Sequence, residues 1–270
     1  MKDEAVEKVM ELFRAVKYEE DKGSMIYDGA IVDYDVILGK GNLILPGTNI
    51  VGNVKIGNKN IIGPYATIGA PPQHLDYYEG DLDNSKLRIE IGDENMLREH
   101  ISIHAPTVRD TKVGSRCLFM TQSHVAHDDQ IGDRVVLTNN VALAGHVSVM
   151  DYANIGLGSD VHQFSTIGAY SMLGMHSVVT KDIPPFALYN QKEYSESKQI
   201  NKINKVGMKR NGLTEADISS VEDYYTYGTP MNYNMEKIMN DFTKLRKRNH
   251  PERPMAKIFN MAEIKYVGSG

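Results

Sequence analysis

Cysteine is almost absent. One residue, Cys117, stands in 270, so no disulfide can form within the chain, which suits a reducing compartment. Nothing beside Cys117 marks it as a nucleophile, and it reads as a small buried filler. No stretch reaches the ~18 consecutive apolar residues of a membrane-spanning helix, and the first residues lack the apolar stretch of a secretory signal. The expected location is the cytoplasm. An excess of basic charge is missing too. Lys and Arg number 30 against 35 Asp and Glu, a formal net charge of −5, which leaves no electrostatic footprint for nucleic acid.

What the chain has is a beat of six. From Val113 every sixth residue is large and apolar: Phe119, Val125, Ile131, Leu137, Leu143, Val149, Ile155, Val161, Ile167, Leu173 and Val179. A second run goes from Ile26 through Val32, Leu38, Ile44, Ile50, Ile56 and Ile62 to Ile68, and a third, short one is Ile91, Leu97, Ile103. A helix needs a period near 3.6 and a strand a period of 2. A period of six fits a solenoid in which each hexad is one flat side and three sides close one coil. No coil buries its apolar side chains alone, so neighbours stack and share one core. Gly often follows the apolar position, as at Gly57, Gly92, Gly114 and Gly132, which suits a crowded turn. A β-sandwich is the competing fold, but its strand spacing drifts.

In chain order, residues 1–22 hold Val6, Val9, Met10, Phe13 and Val16 at helical spacing. They are expected to form an amphipathic helix that plugs the first coil. Residues 23–191 are the solenoid, broken twice. One excursion, about 70–88, is rich in Pro, acids and Tyr; a smaller one spans 104–112. Long irregular loops in compact folds are often functional. The solenoid is expected to end at Lys181–Phe186, because paired prolines supply no ladder donors. Residues 192–270 read as a helical domain: a short helix through Ile200, Ile203 and Val206, one capped by Thr214 with Asp217 three residues on, and one from Met235 to Arg248. Val267–Gly270 is expected to be disordered.

Histidines concentrate in the solenoid: His100, His104, His124, His127, His146, His162 and His176. With one coil near eighteen residues, His127, His146 and His162 fall on nearly the same side of successive coils, and His104 and His124 join below. One reading is a set of structural histidines at a subunit seam, and a second is a metal site in which symmetry gathers three imidazoles. No repeating carboxylate supports the metal, and none is expected. The third reading is a cleft in which His127 is a general base, since imidazole titrates near neutrality and Asp128 follows it. Adjacent strand residues point to opposite faces, so that pairing needs a bent backbone or a neighbouring subunit.

Ser123-His-Val-Ala-His-Asp128, Leu137–Val149 and Val161-His-Gln-Phe164 closely resemble the UDP-N-acetylglucosamine O-acyltransferases that begin lipid A biosynthesis (LpxA-type, hexapeptide-repeat acyltransferases). Ile68–Leu75, Ile89–Gly92, Ser102–His104, Asp182–Pro185, Asn204 and Gly207–Arg210 match as well, so the resemblance runs from about residue 50 to about 215. It implies a left-handed coil, assembled as a homotrimer with active sites at subunit interfaces. With the reading of the residues, the expected fold is mainly β, a left-handed parallel β-helix with an N-terminal helix that is extra to the family pattern and a C-terminal helical domain. It implies transfer of an acyl group from acyl carrier protein to a UDP-sugar, with no cofactor. His127 matches the base, Asp128 its partner, and Gly145 the residue whose N–H polarises the thioester carbonyl, where charge develops. Gln73, His74, His104, His124, His146, His162, Gln163, Asn204 and Arg210 fall at substrate-binding positions.

The chain also departs from the pattern. Asp76 stands where a lysine is usual, and His74 where an aspartate is. Met175 replaces a glycine that admits a long acyl chain, so a shorter chain is expected. These departures keep a second enzyme open: an acetyl-CoA-dependent N-acetyltransferase of a nucleotide-linked amino sugar, for O-antigen or glycan synthesis. A carrier-protein enzyme should show a basic patch, for which Lys202, Lys205, Lys209, Arg210, Lys244, Arg246, Lys247 and Arg248 are available. From another class, a non-catalytic scaffold would be indifferent to His127→Ala, and a carbonic-anhydrase-like protein would hold stoichiometric zinc.

Overall fold

The computed structural model describes residues 3–256, apart from 15, 22, 198, 199 and 201. Two- to four-residue strands alternate with corner turns and build three parallel faces, here A, B and C in chain order, of ten, eight and seven strands. The architecture is a left-handed parallel β-helix. Register is strict: Leu118 pairs with Val136, Val136 with Asn154 and Asn154 with Met172, one coil per eighteen residues. The beat residues point inward. Ile44, Ile62, Leu97, Phe119, Leu137, Leu143, Ile155 and Leu173 have no solvent exposure, and burying each such side chain stabilises by roughly 1.5–3 kcal/mol.

Most corners turn on a residue with positive φ, such as Arg116, Gln122, Asp128, Arg134 and His146. None of the non-glycine residues there is β-branched, as the steric cost of the left-handed region requires. The glycine after a beat residue answers a different demand. A Cβ on Gly114 would lie 2.6 Å from the carbonyl of Gly132 in the next coil.

Both excursions leave from the same corner. Face B ends at Thr67–Ala70 before the first and at Ser102–His104 before the second, and face C resumes at Ile89–Ile91 and Thr111–Val113. Ladder pairing closes over the gaps, Ser102 meeting Thr67 below and His124 above. Insertions at a corner leave the strands in register, so the stack tolerates them.

Several elements differ from expectation. The first helix, α1, covers Asp3–Leu12, and Tyr18–Asp21 is a strand antiparallel to Ser24–Tyr27. Instead of plugging the coil, this segment lies outside face A, where Val9, Met10, Phe13 and Val16 pack on Tyr27, Leu43, Leu45 and Ile61. Leu43 and Ile61 each precede a beat residue and so point outward, making that part of the face apolar on both sides. The first excursion contains a short helix, α2 (Leu75–Glu79). The solenoid runs past Pro184 and Pro185, because Leu188–Tyr189 still pairs with Met172–Leu173; the prolines occupy a corner, where no ladder donor is needed. A helix α3 follows (Gln191–Ser197), and Ile203 lies in a bridge to Ala187 rather than in a helix. The next helix, α4, begins only at Lys205 and ends at Arg210, since the Asn204 side chain caps it. Then come α5 (Glu215–Tyr227), with the Thr214–Asp217 capping box, and α6 (Tyr233–Asn249). Tyr225 donates to the Pro185 carbonyl at 3.0 Å and Arg246 pairs with Asp182 at 2.9 Å, docking the helices on the last coil. The Val267–Gly270 tail lies outside the described residues.

Candidate active site

The corner between faces B and C gathers most of the candidate residues. His127 precedes the positive-φ residue Asp128, and the reversed backbone there swings both side chains to one side. Nδ1 of His127 donates to Oδ2 of Asp128 at 2.7 Å. The strand alternation that separates neighbours does not apply at a corner, so the pair forms within one chain. Asp128 is fully buried. Its carboxylate also accepts from the Thr107 hydroxyl and from the amides of Thr107, Val108 and Arg109, all on the second excursion. Burial opposes ionisation, but these donors and His127 win, and the carboxyl is held well below the usual range. With Nδ1 committed as donor, Nε2 of His127 carries the lone pair.

Gly145 lies one coil above His127. A Cβ there would come within 2.5 Å of His127 Cε1 and 2.7 Å of Nε2, so only glycine lets the imidazole lie against the next coil. Among the described residues the Gly145 N–H has no hydrogen-bond partner, which leaves a backbone donor beside Nε2.

Four more histidines lie around His127, in a staggered set rather than a single file. His146 and His74 meet His127 edge-on, with ring centroids 5.1 and 5.4 Å away. His104 and His124 meet each other at 4.9 Å, and the Ser102 hydroxyl is 2.8 Å from His124 Nδ1. Burial pushes His104 and His146 down to about 4, in His146 against the pull of Asp128. Burial also lowers His124. These rings are neutral donors and acceptors at pH 7, not cations. His162 and Gln163 are exposed at the same corner one coil higher. What stacks on His146 is Phe164, parallel at 4.3 Å. An apolar groove of about 350 Å³ runs along face B from this corner, lined by His124, Ala142, Ala144, His162, Val178 and Thr180.

Other residues lie elsewhere. Gln73 is exposed on the first excursion beside His74, and Asp76 is in the first turn of α2. Asn204 donates to the Tyr170 carbonyl at 2.9 Å, at the corner between faces C and A, and Arg210 is exposed at the end of α4. One chain therefore does not bring these two to His127. Met175 is 69% exposed on the turn entering Val178–Val179, outside the groove lining. Of the basic set, Lys205 pairs with Glu222, Lys209 with Glu215, Lys244 with Asp241 and Arg246 with Asp182. Arg210, Lys247 and Arg248 remain exposed.

His127, Asp128 and His146 bring donor atoms within 4.8 Å of one another. A divalent cation there would have to displace the Nδ1 proton that orders the dyad. Cys117 is buried, and burial pushes its thiol up to about 12, as inert filler requires.

Comparison with known proteins adds the family. A profile described as bacterial transferase hexapeptide (six repeats) matches residues 35–70, and one described as UDP-N-acetylglucosamine O-acyltransferase, domain 2, matches residues 182–263. The solved UDP-N-acetylglucosamine O-acyltransferase of Moraxella catarrhalis is 30% identical over 88% of this chain and 96% of its own, with a TM-score of 0.64. The chain belongs to the UDP-N-acetylglucosamine O-acyltransferase family. The Francisella novicida UDP-N-acetylglucosamine acyltransferase is similar at 26% identity over 93% and 99% of the two chains, TM-score 0.68. The Acinetobacter baumannii protein follows at 28% over 88% and 99%, TM-score 0.60. Membership in this acyltransferase family makes the protein an enzyme of acyl transfer.

Sequence reasoning missed Thr107, Arg109, Phe164 and Asn249 as parts of the site. Only Phe164 carried a signal, standing one eighteen-residue coil above His146 and two above Asp128.

Proposed function

We propose that the protein moves an acyl group from acyl carrier protein to the 3-hydroxyl or 3-amine of a UDP-N-acetylglucosamine-type sugar, the first step of lipid A biosynthesis. The observation that carries this reading is the His127–Asp128 dyad beneath the unpartnered Gly145 N–H, at the mouth of an apolar groove. Nε2 of His127 takes the proton of the acceptor as its oxygen or nitrogen attacks the thioester carbonyl. Asp128 stabilises the imidazolium that forms. The Gly145 N–H donates to the carbonyl oxygen as it gains charge. Collapse breaks the C–S bond, and the imidazolium returns its proton to the leaving thiolate. The products are the acylated sugar nucleotide and the free carrier thiol.

The neutral imidazoles of His104, His124 and His146 suit sugar hydroxyls, and Arg210 suits a diphosphate through its forked donors. Arg210 and Asn204 lie at another corner of the chain, which favours a homotrimer whose sites combine the dyad corner of one subunit with α4 of the next. We place the enzyme in the cytoplasm, where its carrier-protein donor resides. No helix among the described residues is long and apolar enough to cross a membrane.

The test is a donor comparison. UDP-N-acetylglucosamine and its 3-amino analogue are each paired with acetyl-CoA and with carrier protein loaded with hydroxyacyl chains of several lengths. Turnover with the loaded carrier alone is expected. Turnover with acetyl-CoA and the amino sugar alone would move the enzyme to glycan N-acetylation.

A further inference from the structure

Three carbonyls at the dyad corner receive no backbone donor. They belong to the positive-φ residues Asp128, His146 and Phe164, stacked one coil apart, and no described backbone N–H reaches them. Buried or half-buried carbonyls need partners. Two side chains supply them. Arg109, on the second excursion, donates from Nε to Asp128 O at 2.8 Å and from one terminal nitrogen to His146 O at 3.1 Å. Asn249, the last residue of α6, donates to Phe164 O at 3.0 Å. The two are joined, because the same Arg109 nitrogen donates to Asn249 Oδ1 at 3.1 Å. From the inner side Asp129, fully buried, accepts the amides of Ala126 at 3.1 Å and Val147 at 2.7 Å. The turns that carry His127 and His146 are thus clamped by their N–H groups within and their carbonyls without.

We propose that Arg109 is a positioning residue for acyl transfer: through Asn249 it couples the docking of α6 to the spacing of the two turns that hold His127 and His146. The inference rests on the reading of His127 as general base. A guanidinium suits the task because its planar fork fixes two or three acceptors at once, whereas an ammonium is a compact point charge on a flexible stem. The Phe164 ring, held by the Asn249 bond to its carbonyl, lies flat on His146, whose edge meets His127. A shift of either turn therefore moves the base relative to the Gly145 N–H, and a misplacement near 1 Å costs about 10²-fold in rate.

The experiment uses the full chain and the variants Arg109→Met, Arg109→Lys, Asn249→Ala and the double variant Arg109→Met/Asn249→Ala. Arg109→Met is expected to lower kcat about 10- to 100-fold with the acceptor KM within about threefold. Arg109→Lys should recover part of that loss. The double variant should be no worse than Arg109→Met, since one relay is cut only once. Amide hydrogen exchange should quicken at residues 127–129 and 146–148 in Arg109→Met. An unchanged kcat, a raised KM alone, additive losses, or an Arg109→Lys protein as slow and as heat-labile as Arg109→Met would each overturn the proposal. Should the wild type turn over no acyl donor, the acyl-transfer reading fails by itself. The exchange measurement then decides the relay, and unchanged protection at the two turns would sink it.

Discussion

At the scale of single residues, the site depends on one backbone reversal. His127 and Asp128 converge because Asp128 adopts positive φ. Replacing His127 with Ala would remove the proposed proton acceptor, so turnover should fall by ~10²–10⁴-fold, while the thermal unfolding midpoint should stay close to wild type. Initial rates at saturating donor and acceptor check this, and a variant with wild-type turnover would remove the base. The surrounding imidazoles set a pH response of stability. His104 and His146 titrate near 4 in the folded protein, through burial, against about 6.5 unfolded. Between those values the unfolded chain binds protons that the folded one does not, so stability falls as pH drops from 6.5 toward 4, by at most about 1.4 kcal/mol per pH unit for each ring. Urea midpoints at pH 7, 6 and 5 measure it, and His104→Gln should flatten the slope. Met175 belongs at this scale too. If a neighbouring subunit closes the groove against it, Met175→Gly should shift the preferred donor toward longer chains, and an unchanged preference in a chain-length series would remove that role.

Among the elements, the coils were the most legible part of the chain. A side chain every six residues is a statement about burial, and burial does not depend on the loops between. Leu143, with no exposure, packs in mid-solenoid, so Leu143→Ala should cost about 2–5 kcal/mol of stability, read from denaturant midpoints. The candidate site was legible in its residue types but not in its contacts. His127, Asp128 and Gly145 stood out, yet strand alternation argued against the pairing that a positive-φ corner allows. Arg109 was invisible because its role is to satisfy carbonyls, and backbone demand leaves no pattern in side-chain spacing. Asn249 meets Arg109 from 140 positions away in sequence, and no periodicity links it to His146. The first helix was misplaced for a related reason: the beat describes the inside of the coil, whereas α1 answers to Leu43 and Ile61 on the outside.

For the molecule as a whole, the corner occupied by each residue would decide, in the proposed homotrimer, which subunit it serves. His127 sits between faces B and C, whereas Asn204 bonds Tyr170 between faces C and A. A rigid β-helix cannot bring two of its own corners together, so a site that uses both draws them from two copies. Complementation tests this directly. His127→Ala and Arg210→Ala are each expected to be nearly inactive alone. Co-expressed in equal amounts, they should form mixed trimers, if the proposed assembly holds, in which a site is intact only where an Arg210→Ala subunit lends its dyad and a His127→Ala subunit its α4. Random cyclic assembly makes about a quarter of the interfaces intact, so about a quarter of wild-type activity should return. Sites confined to single chains would return none, since every chain carries one lesion. The mixed sample's activity per site, measured with the donor that the wild type uses, separates the two outcomes without any knowledge of the bound geometry.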